Sequence, residues 1–377
     1  MTSWRLKMQL NEIMEELQKV LSEVPVHGRD LLIGSMTTTP HPLAKQVFEM
    51  FQNLNINDEE LYAPLRALER EAVRELGSLL GCNGSCDGYI TTGGSESNLA
   101  ALYLAREHGF NTVYFSRTAH HSVTKAAHIL GLRAVEVKDE GFKMSASSLR
   151  ELCSSHGPGV VVVTVGTTSV GTIDPVEEIS EVAEGCSSVV HVDAALGGLV
   201  APFIYPQRRL GFQNSSVVSV TVDPHKLGLV PIPAGGLVVR DEEWFSPLKF
   251  EAAYYPAGYQ VGLLGTRSAG PPLATWAMLK YMGVEGYSRQ ARELMKRTGD
   301  LVLGVKSIGF SVAAEPEVPV VCVSYDNDVE ALRYLKSKGV YAYRCGIVSG
   351  LRFVIMPHVT DSAISRVLAA LRELPPT

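Results

Sequence analysis

Four short segments of the sequence combine glycine, histidine, aspartate or lysine in patterns that could carry chemistry. The first, residues 91–98 (TTGGSESN), follows a short apolar run and precedes an apolar helical pattern. Backbone N–H groups at a helix start are free, and together with the helix dipole they can hold a phosphate. A Gly-Gly turn before a helix is also common as a plain loop, so Gly94 and Ser95 are phosphate candidates only in company with other motifs.

Asp193, in HVDAALGG, comes at the end of a valine-rich run and would therefore lie where a buried strand ends. A carboxylate in such a place needs a partner. The protonated nitrogen of a pyridine ring would be a fitting one, because it keeps the ring able to accept electrons. A helix N-cap or a structural ion pair is the alternative, and the motif alone leaves both interpretations open.

Lys226, in DPHKLGL, follows another strand-like run and leads into an apolar stretch. A lysine in apolar surroundings is costly unless the protein uses it. Desolvation and a nearby cation would make its amine nucleophilic, which is the condition for a Schiff base with an aldehyde. A surface lysine is the alternative for any single position, but the Pro-His-Lys context and the upstream aspartate disfavour it here.

Residues 118–122 (TAHHS) follow the strand-like run NTVYF. The imidazole of His120 could stack on a flat cofactor ring and contact a substrate carboxylate, although an isolated pair of histidines is more common as a capped turn. Thr168 and Thr172 follow the run GVVVVTV. Their hydroxyls would lie at the same rim, either as hydrogen-bond partners or as turn residues.

Short apolar runs alternate with helical patterns between residues 89 and 240, which indicates an α/β fold. Valine-rich runs with little alternation predict strands buried on both faces, as in a mostly parallel sheet covered by helices. Ligands bind such sheets beyond the C-terminal ends of the strands. The motif residues follow these ends, so the fold would bring them together.

The remaining sequence predicts three parts in all. An amphipathic helix with apolar residues from Leu6 to Leu21 and a Thr- and Pro-rich loop would form residues 1–45, with the loop at the active site. Residues 46–270 would form the large domain. Residues 271–377 combine a long helical pattern with two strand-like runs and would form a smaller C-terminal α+β domain.

Composition excludes several classes of function. The net charge of −6 is spread over mixed acidic and basic residues, which disfavours nucleic acid or a membrane surface as partner. The apolar runs are far shorter than the roughly 20 residues that span a bilayer, and the first helix is not a signal peptide. A cytoplasmic protein is expected.

The six cysteines are mostly scattered, which fits reduced buried thiols better than a disulfide framework. Cys82 and Cys86 are the one close pair and could bind a metal or form a disulfide. No second ligand pair of matching spacing follows, so a plain turn is favoured and no metal site is predicted.

Taken in order, these motifs resemble the group II decarboxylases that depend on pyridoxal 5′-phosphate (PLP) and have the aminotransferase-like fold, PLP fold type I. TTGGSESN, TAHHSV, VDAALGG and DPHKLGL match four family motifs in the family's order. The resemblance implies that Lys226 holds PLP as a Schiff base, Asp193 pairs with the pyridine nitrogen and His120 stacks on the ring. The other cofactor contacts that it implies are Gly94, Ser95, Thr168, Ala195 and His225.

Within this group the chain is most similar to the archaeal L-tyrosine/L-aspartate decarboxylases, through GSMTTTPHPLAKQVFEMF, LLGTRS, ATWAMLKYMG and LRFVIMPHVT. Gly265 and Thr266 resemble the glycine loop that reaches a phosphate in the neighbouring subunit, which implies a homodimer with active sites at the interface. Ser95 and Ser97 stand where Thr and Ala are commoner. The stretch NLNINDEELYAPLRALERE lacks the family's Gly-rich form, which puts the substrate rather than the reaction in doubt.

Three residues are candidates for handling the substrate. Arg352, in LRFVIMPHVT, resembles the arginine that anchors the substrate carboxylate in this fold, with a surface strand arginine as the alternative. The loop FEAAYYPAGYQ offers Tyr254, Tyr255 and Tyr259 as proton donors, and Tyr254 is favoured. His41 beside TTT could bind a second carboxylate or could simply cap the following helix.

The resemblance therefore predicts decarboxylation of an L-amino acid, with L-aspartate giving β-alanine for coenzyme A supply preferred over L-tyrosine giving tyramine. A carbon–carbon lyase resembling sphingosine-phosphate lyase is the alternative within PLP chemistry. A dinucleotide-dependent oxidoreductase is disfavoured because the chain lacks G-x-G-x-x-G and an acidic ribose partner. A non-catalytic PLP carrier is disfavoured because Lys226, Asp193 and His120 are all present.

Overall fold

The structure is a computed structural model that describes residues 8–375. Its large domain is built on a seven-stranded sheet with strand order β1-β9-β8-β7-β6-β2-β3. Its strands are β1 (Asp87–Tyr89), β2 (Thr112–Ser116), β3 (Arg133–Val137), β6 (Val160–Thr164), β7 (Val189–Asp193), β8 (Val217–Val222) and β9 (Gly236–Val239). A separate two-stranded ribbon is formed by β4 (Asp139–Glu140) and β5 (Lys143–Met144).

The sheet is mostly parallel, as the sequence predicts. Strands β3, β2, β6, β7 and β8 are parallel neighbours, whereas β9 runs antiparallel to both β8 and β1. All five residues of β6, VVVVT, are buried, because helices cover both faces of the sheet. The C-terminal ends of the parallel strands therefore share one edge of the sheet.

Helices of up to 17 residues precede, connect and follow the strands of this sheet, and sequence signals mark several of their ends. Pro42 begins its helix behind the N-cap His41, and Gly131 ends another with φ of 68°. The helices are α1 (Leu10–Glu23), α2 (Pro42–Phe51), α3 (Ala63–Leu79), α4 (Gly94–Glu107), α5 (Ser122–Leu130), α6 (Ala146–His156), α7 (Val176–Gly185), α8 (Ala201–Ile204) and α9 (Glu242–Phe245). A hairpin of β10 (Lys249–Glu251) and β11 (Tyr259–Val261) follows.

The C-terminal part begins with the long helix that the sequence predicts, α10 (Gly270–Ser307), which is kinked at Gly283 where φ is 57°. A three-stranded antiparallel sheet follows in the order β12-β14-β13. Its elements are β12 (Val320–Ser324), α11 (Asp328–Ser337), β13 (Tyr343–Arg344), β14 (Gly350–Val354) and α12 (Asp361–Arg372). The early loop joins this part, because the N–H of Gly34 donates to the carbonyl of Tyr341 at 2.8 Å.

The first helix forms as the sequence predicts, although Leu6 lies outside the described residues. None of the α1 residues is buried, and its apolar positions are exposed. Leu10 and Leu17 are 77% and 57% exposed. Within residues 8–375 no helix is both long and apolar enough to cross a membrane.

The cysteine prediction is wrong for four of the six thiols. Cys82 is disulfide-bonded to Cys86, and Cys322 to Cys345, with Cα–Cα distances of 6.2 and 5.8 Å. Cys153 and Cys186 are free. The second disulfide joins residues 23 positions apart, because Cys322 lies on β12 and Cys345 directly follows β13 in the same small sheet. Sequence spacing alone does not reveal that proximity.

Candidate active site

A cavity of about 320 Å³ lies at the C-terminal edge of the large sheet. The turns that follow β1, β2, β6, β7 and β8 all contribute to its wall, as expected for a ligand site on a parallel sheet. The residues that line it are Thr92, Gly93, Gly94, Ser95, Glu96, Asn98, His120, Thr164, Gly166, Thr168, Asp193, Ala195, Leu196, Asp223, His225 and Lys226.

The start of α4 forms one side of this cavity. Gly94 and Ser95 are its first residues, so their N–H groups have no acceptor inside the helix. The turn lies so close to the segment after β8 that a Cβ atom at Gly94 would be 2.9 Å from Oδ2 of Asp223. Glu96 fixes the turn, because its Oε2 accepts hydrogen bonds of 2.7 Å from both the N–H and the hydroxyl of Thr92. The result is a rigid cradle of free N–H groups.

Asp193 ends β7 at the floor of the cavity and is 5% exposed. Its Oδ2 accepts a hydrogen bond of 2.8 Å from Nδ2 of Asn98, and its Oδ1 accepts one of 3.2 Å from the N–H of Ala195. Two N–H donors stabilise the negative charge of this carboxylate. The side chain is thus prepared to face a cation in the cavity.

Lys226 and His225 both approach the carboxylate of Asp223 in the turn after β8. The Lys226 Nζ lies 3.1 Å from Oδ2 of Asp223, and the His225 Nε2 lies 3.5 Å from the same oxygen. Burial lowers the pKa of His225. Asp223 is 2% exposed, and its Oδ1 has no hydrogen-bond partner among the described residues.

His120 forms the opposite wall. Its Nδ1 lies 2.8 Å from the hydroxyl of Ser122 and accepts a hydrogen bond of 3.3 Å from the backbone N–H of the same residue. Burial lowers the pKa of His120, against the opposing charge of Asp193. At neutral pH the imidazole is therefore uncharged, and a flat apolar face is available to a ring in the cavity.

These side chains fit PLP. The free N–H groups at α4 suit its phosphate, the Asp193 carboxylate suits a protonated ring nitrogen, and Lys226 offers an amine for its aldehyde. The unpartnered buried oxygen of Asp223 shows that the polar wall is not satisfied by the protein alone. Sequence reasoning named eight of the lining residues: Gly94, Ser95, His120, Thr168, Asp193, Ala195, His225 and Lys226.

Arg352 lies in an adjoining cavity of about 480 Å³ that shares His120 and Thr168 with the first. Its Nη1 and Nη2 donate to the carbonyls of Thr168 and Gly34 at 3.3 and 3.2 Å. Its Nε is buried without a hydrogen-bond partner, and within residues 8–375 no carboxylate lies within ion-pair distance of it. Burial lowers the pKa of this arginine. The guanidinium group of Arg352 therefore has no anionic partner among the described residues.

Four other predicted residues lie outside the first cavity of their own chain. His41 caps α2, since its Nδ1 accepts a hydrogen bond of 3.2 Å from the N–H of Leu43, and this is the alternative that the sequence left open. Tyr254 is 78% exposed in the turn between β10 and β11. Gly265 and Thr266 form an exposed loop.

Three buried polar residues at the floor of the cavity were given no role by the sequence motifs. Asn98, His191 and Thr221 are each at most 1% exposed and bond to one another around Asp193. A signal was present, because His191 and Thr221 interrupt valine runs: His191 lies in β7, where four of five residues are buried, and Thr221 lies in β8, where all six are. A polar residue in such a run needs a partner, so these positions predict a buried polar network.

The fold and the cavity define a PLP enzyme, and comparison with known proteins gives its family. The family model described as pyridoxal-dependent decarboxylase conserved domain matches residues 7–326. The chain belongs to that family and is a PLP-dependent amino-acid decarboxylase.

Curated relatives extend this result along nearly the whole chain. A probable L-tyrosine/L-aspartate decarboxylase of Methanothrix thermoacetophila is 34% identical over 349 residues, which cover 92% of this chain and 91% of that protein. A probable L-aspartate decarboxylase of Archaeoglobus fulgidus is 34% identical over 372 residues, 96% of this chain and 99% of that protein.

Solved structures confirm the expected fold. The sphingosine-1-phosphate lyase of Burkholderia pseudomallei superposes with a TM-score of 0.88 at 22% identity and covers 99% of this chain and 92% of its own. The Oryza sativa protein named TDC, solved with PLP and tryptamine, gives a TM-score of 0.84 at 21% identity and covers 99% of this chain and 89% of its own. These likenesses concern the fold alone, PLP fold type I.

Proposed function

We propose that this enzyme converts L-aspartate to β-alanine, a precursor of coenzyme A, with L-tyrosine as the competing substrate. Relatives named for both substrates, and one named for aspartate alone, support this choice. The observation that carries it is the cationic wall of the cavity next to His120. Arg117, Arg344 and Arg352 line that cavity together with Glu136. Arg117 and Arg344 are paired with Asp139 and Asp328, which do not line it, and their remaining guanidinium N–H groups favour an acidic substrate over a phenol.

The early loop does not supply that cationic wall. Thr38 bonds to Nδ1 of His358 at 2.8 Å, and Thr37 lies within hydrogen-bond distance of His27 and Ser35. The polar groups expected from sequence to hold a second carboxylate are thus engaged within the protein. Support for an acidic substrate therefore shifts from this loop to Arg117 and Arg344, because Arg352 is assigned to the carboxylate that every amino acid carries.

PLP supplies an electron sink for the bond that breaks between Cα and its carboxylate. Arg352 holds that carboxylate in a two-pronged contact beside His120, and the imidazole contacts it from the cofactor side. Asp193 keeps the ring nitrogen protonated, and Lys226 binds the cofactor covalently. Loss of CO2 leaves a pair of electrons at Cα, which takes up one proton and completes β-alanine.

A homodimer completes this site in our proposal. Tyr254, the proposed proton donor, and the loop of Gly265 and Thr266 are exposed and lie outside the cavity of their own chain. Exposed residues outside their own cavity can contribute to an active site only if that site belongs to the neighbouring subunit. Sedimentation should therefore show at least two chains, and a fully active monomer would refute the shared site.

CO2 release from a panel of amino acids by the PLP-loaded protein tests the substrate. L-aspartate should give the highest kcat/KM, with β-alanine as the product. A higher kcat/KM for L-tyrosine would reject the aspartate assignment and leave the decarboxylase in place. Aldehyde release from a phosphorylated amino alcohol without CO2 would instead support carbon–carbon cleavage.

A further inference from the structure

A buried network of hydrogen bonds centred on Asn98 forms part of the cavity floor. Asn98 is 1% exposed and contacts four side chains. Its Nδ2 lies 2.8 Å from Oδ2 of Asp193 and 2.9 Å from the hydroxyl of Ser122. Its Oδ1 lies 2.9 Å from the hydroxyl of Thr221 and 3.0 Å from Nε2 of His191.

The chemistry of the partners fixes the orientation of the Asn98 amide. A carboxylate only accepts hydrogen bonds, so the amide atom that faces Asp193 must be the NH2 nitrogen. That nitrogen has two hydrogens, and the second points to the hydroxyl oxygen of Ser122. Both donors of the amide are therefore used, one on each side of the cavity floor.

The hydrogen-bond partners of His120 likewise fix the position of its proton. The hydroxyl oxygen of Ser122 accepts from Asn98, so its own hydrogen is free to point at Nδ1 of His120, 2.8 Å away. The backbone N–H of Ser122 also points at Nδ1, at 3.3 Å. A ring nitrogen that faces two donors is an acceptor, so the neutral imidazole carries its proton on Nε2.

We propose that Asn98 is a positioning residue that connects Asp193 to His120 and, through Ser122, holds the imidazole in the Nε2–H form. It fixes the carboxylate for the ring nitrogen of PLP and makes His120 a hydrogen-bond donor, not a base, on the cofactor side. The inference rests on the roles proposed above for Asp193 and His120. It does not depend on which amino acid is the substrate.

Asn98→Ala tests the link to Asp193 in the PLP-loaded protein without substrate. Loss of the donor should weaken PLP binding about tenfold, since a hydrogen bond to a charged group is removed. The pH midpoint of the change in visible absorbance should rise by about one unit. The positive ring nitrogen that Asp193 stabilises disfavours a second proton on the cofactor, and this effect becomes smaller when Asp193 loses its hydrogen bond from Asn98.

Asn214→Ala is the matched control. Asn214 is also a buried asparagine, 5% exposed, whose Nδ2 donates to the carbonyls of Arg209 and Gly211 at 2.9 and 3.0 Å, and it does not line the cavity. It should lose thermal stability and keep the wild-type PLP affinity and absorbance midpoint. Equal effects in both variants, or none in Asn98→Ala, would overturn the proposal.

Ser122→Ala tests the link to His120 and serves also if Asn98→Ala does not fold. Spectra of protein with ¹⁵N-labelled histidine distinguish the two neutral imidazole forms, and the His120 signal is identified by its loss in His120→Gln. Wild type should show the Nε2–H form, and Ser122→Ala should show a mixture with Nδ1–H. A wild-type His120 protonated on Nδ1 would refute the proposed network. Because no substrate is present, neither result bears on the aspartate assignment.

Discussion

The Lys226 ammonium lies 3.1 Å from the carboxylate of Asp223, three residues earlier in the turn that follows β8. Asp223 is 2% exposed, and one of its oxygens has no hydrogen-bond partner among the described residues. The lysine that is proposed to bind PLP therefore also neutralises a buried carboxylate. Function and stability are coupled at this position, and the two can be separated by substitution.

Lys226→Ala should destabilise the PLP-free protein by about 2 kcal/mol, because it leaves the Asp223 carboxylate buried without its cation. Urea unfolding followed by circular dichroism measures this change. The double variant Asp223→Asn/Lys226→Ala removes the stranded charge as well and should recover most of the loss. A double variant less stable than Lys226→Ala would show that the ion pair is not the cause.

Borohydride reduction of the PLP-loaded protein should attach the cofactor to the peptide that contains Lys226. Lys226→Ala should still bind PLP through the phosphate cradle but lose turnover by several orders of magnitude, because the amine is needed for cofactor exchange. Lys280, which forms surface ion pairs with Glu71 and Glu75 away from the cavity, provides a control for the labelling. Label on any peptide other than that of Lys226 contradicts the assignment.

The cavity could be predicted from sequence because its residues follow strand ends, and a parallel sheet brings such ends to one edge. Partners fixed by three-dimensional packing could not be predicted in this way. His41 precedes Pro42 and is used as a helix cap, and Cys322 meets Cys345 only through the small sheet. The amide of Asn98 was visible in its motif, but its partners come from β7, β8 and α5.

A buried ion-pair cluster supports the loop that carries Gly265 and Thr266. Glu69 is fully buried and bonds to both Arg66 and Arg267, and its Oε1 accepts a hydrogen bond of 2.9 Å from the N–H of Ile90. Burial raises the pKa of Glu69, but the two guanidinium groups and the N–H more than reverse that effect, so its pKa is lowered overall. The carboxylate is charged and balances two buried cations.

Glu69→Ala should destabilise the protein by about 3–5 kcal/mol, because removal of one partner leaves buried charges uncompensated. Denaturant unfolding measures the effect. Lys296→Ala breaks an exposed pair with Asp300 on α10 and should leave the unfolding midpoint unchanged. A Glu69→Ala protein as stable as Lys296→Ala would show that the buried ion-pair cluster does not contribute to the free energy of unfolding.

His191 should make the stability of the fold depend on pH. Burial lowers its pKa from 6.5 to about 4, with the charge of Asp193 acting in the opposite direction. The unfolded chain takes up the proton near pH 6.5 and the folded chain only near 4, so the folded state loses stability as the pH falls between these values. The loss should reach about 3 kcal/mol. Unfolding free energies of His191→Gln should vary less over this range, whereas the exposed His128→Gln should follow the wild type.

Substitutions of Arg352 and Arg344 separate anchoring of the substrate from choice of the substrate. The guanidinium of Arg352 is proposed to hold the carboxylate that every amino acid has. Arg352→Lys should therefore lower kcat/KM about a hundredfold for L-aspartate and L-tyrosine alike, since lysine keeps the charge but cannot donate two parallel hydrogen bonds to a carboxylate. His41→Ala removes a helix cap and should lower stability by about 1 kcal/mol with the ratio of the two kcat/KM values unchanged.

Arg344 lines the cavity that contains Arg352, and its Nε lies 3.0 Å from Asp328. It is the residue expected to change the ratio of kcat/KM for L-aspartate to kcat/KM for L-tyrosine. Arg344→Ala should reduce the kcat/KM of aspartate more than that of tyrosine, because only aspartate carries a second carboxylate, and a uniform reduction would contradict the acidic-substrate assignment of this wall.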